Sequence, residues 1–264
     1  MFSEEIDLDK IERAVTSHRR RKLKDEELVK VVEEVFDYRT LMVLYKMFSR
    51  NILKTLYGVV AAGKEARVYW GVTPRGEDVA VKIYLVSTAE FRKSRLKYMM
   101  GDPRFKRIGR NIRDIVELWS RKEYRNMLRA YRAGVSTPKP YAVYGNVLVM
   151  EFVDAGRRGV PAPRLKDVYP ENAEELFLQV RDEIRKAVVE AEIVHADLSE
   201  YNILYKEGKA VIIDWGSGVH VDHPHAKEFL LRDLERIHRY FAGLGVNTGD
   251  YRAFYRELVK EIRG

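Results

Sequence analysis

The sequence contains no cysteine. Disulfides and thiolate metal sites are therefore excluded, and nothing in the composition calls for an oxidising compartment. Long apolar runs are also missing: no stretch approaches the roughly 20 residues that span a bilayer as a helix. The opening MFSEEIDLDK is acidic where a secretory leader would be basic. These absences predict a cytoplasmic protein with no membrane partner. Acid itself is scarce in one place. From Arg92 to Arg113 nine Lys or Arg residues meet a single acid, Asp102, while the whole 264-residue chain carries a net +8. Such a block attracts phosphate backbones or acidic protein surfaces. Arg19, Arg20, Arg21, Lys22 and Lys24 form a second, smaller cluster.

Three stretches follow one another. Residues 1–55 read as an N-terminal helical extension, with apolar positions at Ile6, Leu8, Ile11 and Val15. A second helix would be capped by Asp25 and bury Leu28, Val31, Val32, Val35 and Phe36, and Leu41, Val43, Leu44 and Phe48 continue the pattern. No recognition-helix signature marks this extension as DNA-binding, so it is expected to pack on the next domain. Residues 56–152 change to strand periodicity, around Leu56–Val60, Ala66–Trp70, Val79–Tyr84, Tyr141–Tyr144 and Asn146–Met150. They also hold a helix over 112–133, whose apolar face is Ile115, Leu118, Trp119, Leu128 and Tyr131. The basic insertion of about 85–111 contains Gly101, Pro103 and Gly109, which argue against one stable helix. Residues 153–264 are mainly helical: one long amphipathic helix runs from Leu176 to Ala191, and two more cover Ala226–Phe241 and Asp250–Ile262. His220, His223 and His225 lack helical spacing and flank Pro224, so they read as loop residues rather than metal ligands.

Chemistry concentrates between Ile193 and Asp214. His195-Ala196-Asp197 is followed five residues on by Asn202, and Asp214 ends the apolar strand Ala210–Ile213. This is the order H-x-D-x-x-x-x-N followed by a metal-binding Asp. Asp197 would accept or orient the proton of an attacking hydroxyl, while Asn202 and Asp214 offer hard oxygen ligands to a magnesium shared with phosphates. Upstream, Val79-Ala80-Val81-Lys82 follows the V-A-I-K strand pattern, in which the lysine neutralises nucleotide phosphates. Matching Val68 to the valine of a glycine-rich loop leaves Gly63 as its one glycine, with Ala61 and Ala66 at the other glycine positions. Gly63, Lys64, Ala66, Val68 and Ala80 thus join Lys82 as candidate nucleotide contacts. Glu123, with Glu117 as the alternative, would steady that lysine. Met150, Glu151 and Phe152 form a candidate hinge against the base, and Leu204 and Ile213 complete the set. The cofactors implied are ATP and Mg2+, with Mn2+ as a substitute.

The residues Ala62–Tyr69, Val81–Tyr84, Phe91–Arg95 with Gly101–Phe105, Trp119–Asn126, Val147–Phe152, His195–Leu204 and Phe229–Asp233 resemble the RIO atypical protein kinases, and among them the Rio-one subfamily. The match covers nearly everything after residue 50, and HADLSEYNIL is its most specific string. The resemblance implies an α+β class, a trimmed two-lobed protein-kinase-like fold with the helical extension at its N-terminus. Its N-lobe would be 56–152 and its C-lobe 153–264. It implies a minimal, archaeal-type serine/threonine kinase or ATPase acting in small ribosomal subunit maturation, with a transient phosphoaspartate on Asp214. The basic insertion would then contact the subunit precursor, through rRNA or ribosomal protein, and a protein substrate is a further expected partner. Departures from ordinary kinases are visible: Asp214-Trp215-Gly216 stands for D-F-G, Ser199 for the catalytic-loop lysine, and no A-P-E follows. Too few residues separate Asp214 from the next helix for an activation loop. Two other readings are a small-molecule phosphotransferase of the aminoglycoside or choline kinase type, which Ile213-Asp214-Trp215 fits, and a non-catalytic RNA-binding scaffold.

Overall fold

The computed structural model describes residues 5–20, 36–85, 95–104 and 111–263. The helix expected after Asp25, the basic run Arg21 to Lys24, and residues 86–94 and 105–110 of the basic insertion lie outside the described residues. The chain forms two compact units: Met1–Ser87 with Tyr141–Phe152, and Thr88–Pro140 with Val153–Gly264.

The first unit is a five-stranded sheet backed by helices. Strands β1 (Thr55–Ala62), β2 (Ala66–Val72), β3 (Asp78–Tyr84), β4 (Pro140–Tyr144) and β5 (Val147–Glu151) lie in the order β1-β2-β3-β5-β4. Because side chains alternate along a strand, register decides what each face carries. Tyr69 pairs with Val81, which pairs in turn with Val149, and these residues join Val79, Ile83 and Val147 in the core beneath α1 (Leu8–Arg20) and α2 (Tyr38–Ser49). Ile11 from α1 and Leu44 and Met47 from α2 are wholly buried there. Asp37 caps α2 by accepting from the Arg39 and Thr40 amides, each at 3.0 Å. Asn146 then links α2 to the sheet, donating to Thr40 Oγ1 at 2.9 Å and to the Tyr84 carbonyl at 2.8 Å. The described residues of the expected extension thus cover one sheet face.

The second unit begins with residues 95–104 and α3 (Ile112–Arg132), whose first turn is capped by Asn111 accepting from the Asp114 amide at 2.8 Å. Strand and helix order in the sequence predicts one lobe over residues 56–152. In the structure, residues 88–140 belong with the second unit, because α3 packs its buried face on the 3-10 turn Trp215–Ser217. Ile115 and Trp119 of the expected apolar face are buried, whereas Tyr131 is 41% exposed and so lies off it. Helix α4 (Ala173–Arg185) does not run unbroken to Ala191: it widens into a π-helical segment, Lys186–Glu190, in which the successive residues Ala187 and Val188 are both buried. That segment delivers β6 (Ile193–Val194), which pairs with β9 (Val219–His220). Between them lies the hairpin β7 (Ile203–Lys206) and β8 (Lys209–Ile212), closed by Glu207 and Gly208 at φ 50° and 80°, the positive values a two-residue turn demands. Helices α5 (Ala226–Gly243) and α6 (Tyr251–Arg263) complete the unit. Among the described residues no helix is long and apolar enough to cross a membrane.

Truncating Leu44 removes a fully buried side chain that joins α2 to the sheet. Leu44→Ala should destabilise the first unit by about 3 kcal/mol in urea unfolding; a loss under about 1 kcal/mol would mean that α2 is not integral to that core.

Candidate active site

The first unit collects five of the candidate nucleotide contacts on one sheet face. Lys82 lies opposite Val68 on β2 and Leu148 on β5, and Ala80 lies opposite Trp70 and Met150. Ala66, Val68, Ala80, Lys82 and Met150 therefore share a face, the one turned away from α1 and α2. Lys82 Nζ stands 5.2 Å from the centre of the Tyr84 ring. The turn carrying Gly63 and Lys64 is closed by the Gly63 amide donating to the Ala66 carbonyl at 2.9 Å. A Cβ on Gly63 would meet nothing nearer than that carbonyl, at 3.4 Å, so this glycine is not required by crowding within the turn. Glu151 pairs with Val79, and the amide of the buried Phe152 donates to the Asp78 carbonyl at 3.3 Å.

The second unit gathers the chemical residues. Asn202 Nδ2 donates to the Asp197 carbonyl at 2.8 Å, and the Asn202 carbonyl accepts from the Ile213 amide at 3.0 Å. Asp197, Asn202 and the residue before Asp214 are thereby stitched together. His195 reinforces the seam: its Nε2 bonds the Ile213 carbonyl at 3.0 Å. A carbonyl can only accept, so Nε2 carries the proton. Burial holds this imidazole below its ordinary pKa, which keeps it neutral. Ala196 and Asp214 both adopt the left-handed region, at φ 65°. These strained positions flank the catalytic loop. Leu204 is in register with Val211 across the hairpin.

Asp197 keeps a half-exposed side chain, with Arg236 Nη1 at 3.0 Å from its Oδ1. Among the site's described contacts this guanidinium puts positive charge beside the loop in which Ser199 replaces the lysine. Arg232 donates to the Ala196 carbonyl from the same helix, α5. Neither arginine was singled out from sequence, since helical residues 35 or more positions downstream carry no local sign of their target. Trp215, which replaces the phenylalanine of D-F-G, is wholly buried, donates from Nε1 to Thr137 Oγ1 at 2.9 Å and lies 4.8 Å from the His195 ring. Glu123 is wholly buried on α3 in the second unit, whereas Glu117 faces outward and pairs with Arg121 at 3.2 Å. The three loop histidines face different partners: His220 faces Asp222 and Glu192, His223 the Met100 carbonyl, and His225 Glu228.

The oxygen donors suit magnesium. Asn202 spends its Nδ2 on Asp197, which leaves Oδ1 for a cation, and Asp214 supplies a carboxylate. No group of three or more His, Cys, Asp or Glu that could hold a metal occurs among the described residues. Two oxygen ligands completed by phosphates and water is the arrangement that Mg2+ adopts in phosphoryl-transfer sites.

Behind the loop, Asp233 of α5 is 2% exposed. Burial pushes its carboxyl from 3.8 up to about 8, against the pull of Arg232 and of backbone hydrogen bonds at Ala196 and Leu198. The unfolded chain releases this proton near 3.8 while the folded chain retains it, so the stabilisation is complete below 3.8 and is lost as pH rises through about 8. Asp233→Asn, which mimics the neutral carboxyl, should flatten the fall in melting temperature between about pH 5 and about pH 9. Parallel curves for variant and wild type would remove Asp233 as its source.

Comparison with known proteins identifies the family. The RIO domain model matches residues 67–254. A RIO-type serine/threonine-protein kinase Rio1 from Haloferax volcanii is 42% identical over 229 residues, covering 87% of this chain and 78% of that protein. Serine/threonine-protein kinase RIO1 of Homo sapiens is 40% identical over 256 residues, covering 91% of this chain, which spans only 44% of the longer human protein. A crystal structure of a Rio2 kinase-ADP/Mg2+-phosphoaspartate complex from Chaetomium thermophilum has a TM-score of 0.63 at 16% identity, covering 97% of this chain and 92% of that one, a likeness of fold. The match to the RIO domain over most of the sequence, with the kinase-like order of Asp197, Asn202 and Asp214, places this chain in the RIO family, among the RIO1-type serine/threonine-protein kinases.

Proposed function

We propose that this chain transfers the γ-phosphoryl group of ATP in the presence of magnesium, acting as a kinase and ATPase on small ribosomal subunit precursors. The observation that carries the reading is the double use of Asn202. One amide side chain and its own carbonyl tie the Asp197 loop to the strand end that presents Asp214. That arrangement fixes the acceptor of a proton and the metal carboxylate relative to each other, as phosphoryl transfer requires. Magnesium held by Asn202 and Asp214 would neutralise charge on the β- and γ-phosphates. Lys82, on the face of β3 turned away from α1 and α2, would supply a cation for the other phosphates.

Asp197 would orient a serine or threonine hydroxyl, or a water, for attack on the γ-phosphorus. In the second route an Asp214 carboxylate oxygen attacks that phosphorus, and the bond to the β–γ bridging oxygen breaks. ADP leaves with the electron pair. Water then attacks the acyl phosphate, restoring the carboxylate and releasing inorganic phosphate. The relative crystallised as an ADP/Mg2+-phosphoaspartate complex supports this route. The basic residues between Arg92 and Arg113 support a phosphate-rich partner such as rRNA.

Magnesium-dependent ATP turnover, measured with and without small-subunit precursors, tests the proposal. Turnover should rise with the precursor, and Asp197→Ala should lower it by about 100-fold or more. Activity indifferent to the precursor would count against the ribosomal role, and an active Asp197→Ala would remove that residue from the chemistry. Lys82→Ala should raise the ATP concentration for half-maximal turnover by about tenfold; an unchanged value would take Lys82 out of phosphate binding.

A further inference from the structure

Lys122 is a lysine with no exposure, and phosphoryl transfer as described above makes no use of it. Burying an ammonium is costly unless its donors are satisfied. Its Nζ donates to the Gly216 carbonyl at 2.7 Å and to the Gly218 carbonyl. Four residues on, along the same face of α3, Asn126 Nδ2 donates to the carbonyls of Trp215 at 2.8 Å and Gly218 at 2.7 Å. Two side chains of one helix thus gather three carbonyls from the four residues that follow Asp214. The approach is close enough to require glycine: a Cβ on Gly216 would lie 2.8 Å from Trp119 Nε1, and one on Gly218 would lie 2.9 Å from Asn126 Nδ2.

The clamp continues past the helix. Asn126 Oδ1 accepts from Arg104 Nη1 at 2.7 Å. Arg104 grips Asp102 with Nε and Nη2 at 2.8 and 2.7 Å, and Asp102 Oδ2 accepts the His220 amide at 3.4 Å. The Arg95 guanidinium stacks 4.5 Å from the centre of the Trp119 ring. Burial holds the Lys122 ammonium well below its ordinary pKa, with Arg104 and Arg95 adding to the push and Asp102 opposing it.

The backbone shows why such a clamp is useful. Asp214 is left-handed at φ 65° and ψ 57°, a conformation that is unfavourable for a non-glycine residue and persists only when its surroundings hold it. Asn202 and His195 bind the backbone just before it, at Ile213, and the turn Trp215–Gly218 is the segment just after it.

We propose that Lys122, Asn126 and Arg104 are positioning residues for Asp214. By fixing the carbonyls of Trp215, Gly216 and Gly218 they keep its carboxylate in the orientation that binds magnesium, without touching the metal. The inference rests on the reading of Asp214 as a magnesium ligand. It also joins the basic segment, at Asp102 and Arg104, to the turn Trp215–Gly218 through side chains.

Calorimetric binding of ADP with and without Mg2+, together with hydrogen exchange of the Trp215–Gly218 amides in the nucleotide-free protein, tests it. Asn126→Ser and the more conservative Arg104→Gln should raise the Mg2+ concentration for half-saturation about tenfold while metal-free ADP affinity stays within about twofold. Amide exchange across Trp215–Gly218 should quicken in both, and Arg104→Lys, which keeps a cation beside Asn126, should recover part of the loss. Asp214→Asn serves as the reference. If it weakens Mg2+ dependence while folded Asn126→Ser and Arg104→Gln proteins match wild type, the clamp is overturned alone. If Asp214→Asn itself leaves Mg2+ dependence intact, the metal reading falls and the clamp falls with it. Equal losses of metal-free and metal-dependent ADP binding would mean that the clamp only supports the fold.

Discussion

Asn202 ties two backbone segments together, and His195 adds a second bond across the same seam. The loop that carries Asp197 leaves β6 with a left-handed Ala196, and the chain leaves β8 toward a left-handed Asp214. Each is a short irregular path, and irregular paths drift unless hydrogen bonds close them. Asn202 closes both, with its side chain on the Asp197 carbonyl and its own carbonyl on the Ile213 amide. The same side-chain amide that secures the loop leaves an oxygen for a cation. Structural and chemical demands therefore meet in one residue.

Around that junction, groups are held by what they lack in solvent. His195 is neutral because burial disfavours its charge, and its single proton is committed to the Ile213 carbonyl. Asp233 reaches the loop from below as a buried acid, and Trp215 fills the space beside the histidine ring. On the other side of the metal loop, Lys122 and Asn126 collect carbonyls that would otherwise face an apolar helix. Polar groups in low dielectric hold geometry firmly when they are paired, and those at the loop are paired with backbone far more than with one another. Such pairing fixes where the backbone runs, which is what a metal site needs.

Much of this was legible in the chain. Alternating apolar residues located β2 and β3, and period 2 put Ala80 and Lys82 on one face of β3, whereas Val68 joins them only through the pairing of β2 with β3. The turn at Glu207 and Gly208 was marked by the glycine that a positive φ demands. HADLSEYNIL fixed the order of Asp197 and Asn202, and its likeness to RIO sequences agrees with the domain match. Helix α3 was legible only in part. Its periodicity announced an apolar face but not what covers it, and the lobe boundary drawn from strand and helix order set α3 with the sheet. Lys122 and Asn126 look like solvent-facing residues in a list of letters, and nothing local distinguishes Glu123 from Glu117. The π-helical segment had no sequence mark either, since one extra residue per turn leaves the apolar composition unchanged.

The sequence by itself determined the elements and the chemical inventory: a phosphate-type lysine on a strand, an acid and an amide five residues apart, a second acid closing a strand, and no thiol. Those depend on covalent order and on periods of a few residues. Tertiary structure alone decided which polar side chains are buried and whose carbonyls they take, because burial is set by residues distant in the chain. Lys122 meets Gly216 across 94 positions, and Arg236 meets Asp197 across 39. Contacts of that separation are chosen by how whole faces fit, and a local pattern holds no trace of them.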